Sequence, residues 1–143
     1  MRNLITLIES QSGGQSGDIK VWHVTKRSSV SKIMRQGLIP RRGSRSRSAN
    51  EQQAAIYVFP DSISLEDAMT NWLDDEFADV SLSLLEITVP RDWVHQNTIR
   101  WEATITRPVP PDHIRVLVPD MDEWHGEYPG GNPPEGWFPV SDA

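Results

Sequence analysis

Short runs of alternating apolar and polar residues dominate the chain, with two helix-periodic stretches set between them. Residues 19–24 (IKVWHV) carry the β-formers Ile19, Val21, Trp22 and Val24 and predict a strand. Ser28 or Ser29 then caps a helix that runs to about Gln36, with Gly37 at its C-terminal turn. Val30, Ile33 and Met34 recur at i, i+3 and i+4 and mark its buried face. Residues 41–53 show no period, and a structureless stretch of that length is usually functional or disordered. Residues 54–59 (AAIYVF) predict a buried strand. Ser64 opens SLED, a capping box with Asp in place of Glu, and the helix behind it runs to about Phe77. Its apolar stripe is Leu65, Ala68, Met69, Trp72, Leu73 and Phe77, and Asp74, Asp75 and Glu76 read as its solvated end.

The second half reads as β-structure. LSLLEITVP (82–90) is a strand expected to be largely buried on both faces apart from Glu86, and RDWV is a turn. Over 98–106, Thr98, Arg100, Glu102, Thr104 and Thr106 share one face, and Ile99, Trp101, Ala103 and Ile105 the other. PPDHI turns into a last strand, Ile114 to Val118. Residues 2–10 form a short amphipathic helix on Leu4, Ile5, Leu7 and Ile8, followed by a Gly/Ser linker. From Pro119 the chain is rich in Pro, Gly and acid but holds Trp124, Tyr128, Trp137 and Phe138, so this tail lies across the body. The expected organisation is an N-terminal helix and linker (1–18), a central domain (19–118) and a packed tail (119–143). The expected class is α+β, with a small, largely antiparallel sheet or split sheets and two or three helices.

Composition narrows the chemistry. At 143 residues the chain is one domain's length. With no cysteine, disulfides and thiolate metal sites are excluded. No apolar run reaches the ~18 residues that span a membrane, and the first ten residues are too weakly apolar for a secretory signal, so a cytoplasmic protein without membrane partners is expected. The net charge is −6, yet no acidic residue lies between Asp18 and Glu51. That window holds Lys20, Lys26, Arg27, Lys32, Arg35, Arg41, Arg42, Arg45 and Arg47, nine of the fourteen basic residues. It is either a local anion site or an Arg-rich solvated loop.

Phosphate-loop, dinucleotide-fingerprint, zinc-protease and serine-hydrolase motifs are absent from the sequence. His95, His113 and His125 lack ligand spacing and read as surface or turn residues. His23, Tyr57 and Glu102 each sit within a predicted strand. They either line one cleft, or are two satisfied core polar residues and one surface acid.

Val21-Trp22-His23-Val24-Thr25 followed by SSVSKIMRQGLIP resembles the first motif of the ADP-ribosyltransferase superfamily, a strand ending in His-x-Thr before a short helix. AAIYVFP with Ala68 and Trp72 resembles its second motif, and RWEATITRPVPPDHIRVL its third, a glutamate-bearing strand. The likeness covers about residues 19–118 and is to the His-Tyr-Glu branch of diphtheria-type toxins and poly-ADP-ribose polymerases. It implies a split antiparallel sheet and NAD⁺ as substrate, with no metal. It assigns His23 to a ribose of NAD⁺, Val24 and Thr25 to the dinucleotide beside it, and Tyr57 to stacking on nicotinamide. Glu102 falls on the residue that stabilises the oxocarbenium-like centre, and Arg41, Arg42, Arg45 and Arg47 on the donor loop, where they would clamp the pyrophosphate or lead a phosphorylated acceptor such as a nucleic-acid backbone in.

Arg100 stands where the arginine- and guanine-modifying branches place Glu or Gln, two residues before the catalytic acid. An arginine-directed activity therefore does not follow. The related tRNA 2′-phosphotransferases rely on several arginines, carry a second histidine in place of the tyrosine and lack the catalytic glutamate, so Tyr57 and Glu102 speak against that branch while the Arg cluster speaks for it. The expected activity is mono-ADP-ribosyl transfer to a macromolecular acceptor, a protein or a nucleic acid. The alternative is a non-catalytic effector or inhibitor, of the kind phages and mobile elements encode for the host cytoplasm, that binds a host protein through Trp124, Trp137 and Phe138.

Overall fold

A computed structural model describes residues 17–41, 54–70, 80–96 and 103–138. Strands β1 (Asp18–Lys26), β2 (Ile56–Val58), β3 (Leu82–Pro90), β4 (Val94–Gln96), β5 (Ala103–Ile105) and β6 (Ile114–Val118) form two three-stranded antiparallel sheets. Helix α1 (Val30–Gln36) follows β1, and α2 (Ser62–Ala68) follows β2. The class is α+β, as the sequence predicts. Among the described residues no helix is long and apolar enough to cross a membrane.

The first sheet runs β1-β3-β6 and the second β2-β5-β4. β1 and β3 pair over their full lengths, Asp18 opposite Pro90 and Lys26 opposite Leu82. β3 is the central strand, which is why its sequence is apolar on both faces. Val21, Leu85, Ile87 and Val89 on one face of this sheet close a core with Ile56, Val58, Ala103 and Ile105 of the second sheet and Ile33 of α1. Trp22, Val24 and Leu84 on the other face pack under Leu65 and Ala68 of α2, Phe59 and Trp137. Burying two faces instead of one is how a chain of this size removes enough apolar surface to fold.

Among the described residues the sheets meet at one isolated bridge, between Trp22 and Phe59. The Trp22 N–H donates to Phe59 O (3.0 Å), and the Phe59 N–H donates to Trp22 O (2.7 Å). Two further bridges, Leu38 with Val109 and Arg41 with Ala55, tie the segment after α1 to the link between β5 and β6 and to the residue before β2.

Local differences from the sequence reading have local causes. Helix α2 begins at Ser62 and not behind Ser64, because Asp61 is extended and its carboxylate accepts the Ser64 N–H at 2.7 Å. Ser29 precedes α1 without a side-chain cap, since the 3₁₀ turn Arg27–Ser29 feeds the helix with helical dihedrals. RDWV is a 3₁₀ turn only over Arg91–Trp93. Val94 already belongs to β4, a strand the pattern did not show because three residues are too few to display a period. Asp18 belongs to β1 and not to the linker. The N-terminal helix, the rest of the linker, residues 42–53, the second half of the 64–77 helix with Trp72, Asp74, Asp75 and Glu76, and residues 98–102 of the glutamate strand lie outside the described residues.

Gly37 occupies the predicted position at the end of α1, with φ 87° and ψ −176°, a region essentially closed to residues with a Cβ. A Cβ there would stand 2.2 Å from Val109 O, the carbonyl that accepts the Leu38 N–H. Gly37→Ala is expected to destabilise the fold by about 3 kcal/mol or more. Urea denaturation measures it, and an unchanged midpoint would refute this role for Gly37.

Candidate functional site

In an extended strand successive side chains take opposite faces, and successive N–H and C=O pairs point to opposite edges. Trp22 spends its backbone groups on Phe59, so those of His23 point the other way, toward Leu85 of β3. The His23 side chain, half-buried, is what reaches β2: its Nδ1 lies 2.7 Å from Tyr57 O. A carbonyl only accepts, so Nδ1 carries a proton.

Tyr57 lies between Ile56 and Val58, both buried in the inter-sheet core, so its ring alternates to the opposite face. There it heads a row across the second sheet, Tyr57 opposite Thr104 of β5 and Thr104 opposite His95 of β4. The structure thus brings His23 and Tyr57 together through a side chain and a backbone carbonyl. Glu102, Arg100, Arg42, Arg45 and Arg47 lie outside the described residues. Val24 is buried with Trp22 and Leu84, so its side chain is closed to a ligand and only its backbone is left for one. Thr25 is half-buried, two residues from His23 along the strand. Arg41 is exposed, and its backbone pairs with Ala55 through bonds of 3.2 and 3.1 Å.

A second polar cluster lies on the other face of β1 and β3, centred on Glu86. Sequence reasoning took Glu86 as the one unburied position of its strand; its side chain is only 2% exposed. Its Oε2 accepts the Tyr128 hydroxyl (2.8 Å) and the Trp22 indole N–H (3.3 Å). Its Oε1 accepts Arg115 Nη2 at 3.1 Å, with Lys20 Nζ at 3.6 Å. Arg115 Nη2 also donates to the Tyr128 oxygen at 2.8 Å. An isolated buried carboxylate is very costly; one that accepts three hydrogen bonds beside two cations is compensated. The available signal was an acid in an apolar strand flanked by strands offering Lys20 and Arg115. Sequence alone does not give the register that aligns them.

This cluster fastens the tail. Trp137, 6% exposed, meets Trp22 edge-on at 5.1 Å, Tyr128 at 5.4 Å and Trp124 at 5.9 Å. Gly136 O accepts the Ser62 N–H at 2.8 Å, and Ser62 Oγ accepts the Phe138 N–H at 2.8 Å. Trp137 therefore belongs to the core and is withdrawn from the aromatic docking surface that the sequence suggested, while Phe138 is 49% exposed and pins nothing by burial. His113 sits at a turn as expected, its Nδ1 2.7 Å from Thr88 O; His95 and His125 are exposed. Among the described residues no three His, Asp or Glu side chains gather as a metal site. Comparison with protein-family models, curated proteins and solved structures finds no match for this chain.

Desolvation, then the hydrogen bond to Glu86, raises the Tyr128 pKa above its ordinary 10.0. The folded state then holds that proton more tightly than the unfolded chain. The contribution is complete below pH ~10 and is lost as pH climbs through the raised value. Urea midpoints compared between pH 9 and 11 should fall less steeply for Tyr128→Phe than for the parent; parallel slopes would refute the linkage. Glu86→Leu is expected to cost about 3 kcal/mol, since it strands Tyr128 and Trp22 donors while the half-exposed Arg115 recovers water. Equilibrium denaturation reads that loss.

Proposed function

We propose that this protein is a mono-ADP-ribosyltransferase that cleaves the nicotinamide–ribose bond of NAD⁺ and passes ADP-ribose to a macromolecular acceptor. The observation that carries the reading is the edge junction of the sheets, where the His23 imidazole docks on the backbone of Tyr57 and β5, directly following Glu102 in sequence, runs beside the Tyr57 strand. It adds a spatial relation to a resemblance otherwise built on the order His23, Tyr57, Glu102.

The side chains suit the chemistry. His23, whose Nδ1 donates to Tyr57 O, stands where the resemblance assigns a hydrogen bond to a ribose of NAD⁺. The Tyr57 ring offers an aromatic face to the cationic nicotinamide, an attraction of about 0.5–2 kcal/mol. In the reaction the C1′–N bond breaks, and its electron pair leaves with nicotinamide and neutralises the pyridinium. The electron-poor C1′ is attacked by an acceptor oxygen or nitrogen, which loses its proton. A carboxylate at Glu102 stabilises the positive charge that develops at C1′, and so acts more strongly on the transition state than on the ground state.

Nicotinamide release from labelled NAD⁺ tests the proposal. The parent should release it, with transfer to an acceptor in cell lysate, and Glu102→Gln should lower the rate on the order of 10²–10³-fold. His23→Ala should raise KM for NAD⁺. Release no faster than in buffer, or a rate indifferent to Glu102→Gln, would sink the reading.

A further inference from the structure

We propose that the exposed cations between Lys26 and Arg41 form a docking face for the phosphate backbone of a nucleic acid, which serves as the acceptor; the acceptor role, though not the docking, rests on the transferase reading above. Lys26, Arg27, Lys32, Arg35 and Arg41 are all exposed. Among the described residues no carboxylate pairs with Lys26, Lys32, Arg35 or Arg41, and Arg27 meets Asp120 only at 3.6 Å. On α1, Ile33 faces the core, while Ser31, Lys32 and Arg35 turn outward with Ser28 ahead of them. Hydroxyls beside Lys and Arg are the usual donors to phosphate oxygens.

The placement in the fold gives this patch its meaning. The segment leaves β1 three residues after His23 and meets the residue before β2 at the Arg41–Ala55 bridge, two residues before Tyr57. The basic stretch is therefore the covalent link between the two strands that form the candidate site. Outside Lys26–Arg41 the chain carries nine basic residues against twenty acidic ones, so the remainder is net acidic and disfavours a polyanion. Four cations without a carboxylate partner among the described residues exceed what the two phosphates of a dinucleotide need. An extended run of phosphates matches them.

Binding of a labelled single-stranded oligonucleotide of about 20 nucleotides, followed by fluorescence anisotropy without NAD⁺, tests the docking face directly. The parent should bind with an affinity that falls steeply with salt. Lys32→Glu with Arg35→Glu should weaken binding at least tenfold and lower the salt slope by about 1–2. Arg107→Gln, an exposed cation outside the segment, should leave binding within about twofold of the parent. Salt-insensitive or absent binding, an undiminished affinity of the double variant, or displacement by polyglutamate as effective as by unlabelled oligonucleotide would overturn the proposal, the last by pointing to an acidic protein surface. Nicotinamide release is scored separately on the same preparation. Binding without release leaves the docking face standing and removes the acceptor role. Release and binding together require label from NAD⁺ on the oligonucleotide, and its absence overturns that role.

Discussion

Trp22 is the residue on which the two halves of this fold depend. Its backbone N–H and C=O both go to Phe59, so this single residue joins β1 to the second sheet. Because those groups point away from β3, Trp22 and its partner Glu86 form a non-hydrogen-bonded pair, the closer of the two antiparallel spacings. That spacing sets the indole beside the carboxylate and lets Nε1 donate to Oε2 at 3.3 Å. The ring is fully buried and lies under Trp137. Sheet junction, buried charge and tail thus share one residue, and His23 is the next along the chain.

A buried charged cluster is a poor source of stability, since replacing all of its members together by apolar side chains of similar volume often does as well. What Glu86 supplies is geometry. It holds the Trp22 indole, the Tyr128 hydroxyl and the Arg115 guanidinium on one carboxyl group, and so fixes where the tail crosses the sheet. Gly136 makes the crossing close. Its φ is +94°, and a Cβ there would stand 3.2 Å from Pro60 O and 3.6 Å from the Trp22 ring. The tail therefore bears on the turn between β2 and α2 as well as on Trp22, and both flank the strand carrying Tyr57.

What the sequence made legible follows from the range of the forces involved. Strands β1, β3 and β6 and helix α1 were readable because period, capping and the need for glycine at Gly37 are local properties. The start of α2 was misplaced because two acceptors competed, and the Asp61 carboxylate reached the Ser64 N–H. β4 was missed since three residues show no period, and their partner β5 is found only through folding. The same limit hid the Glu86 cluster: its members at positions 20, 22, 86, 115 and 128 share no motif, and only the pairing of three strands collects them. His23 and Tyr57 were visible as polar residues inside apolar strands, but that the ring of one meets the backbone of the other is a property of the sheet junction.

The Glu86 cluster also shapes the charge geography of the surface. Lys20 opens the basic window in sequence, yet it lies on the outer face of the first sheet, 3.6 Å from Glu86 and donating to Thr88 at 3.0 Å. It is thereby removed from the cations available to a ligand, which begin at the far end of β1 with Lys26. The acidic tail meets the basic segment where Arg27 lies 3.6 Å from Asp120, with the arginine side chain 57% exposed. A solvated pair of that kind contributes little and is screened by salt, so it marks the border between the two fields without locking it. β1 therefore carries cations of two kinds, Lys20 spent on a buried acid near its start and Lys26 left facing water at its end. His23 stands between them in the strand and, by alternation, faces the opposite side.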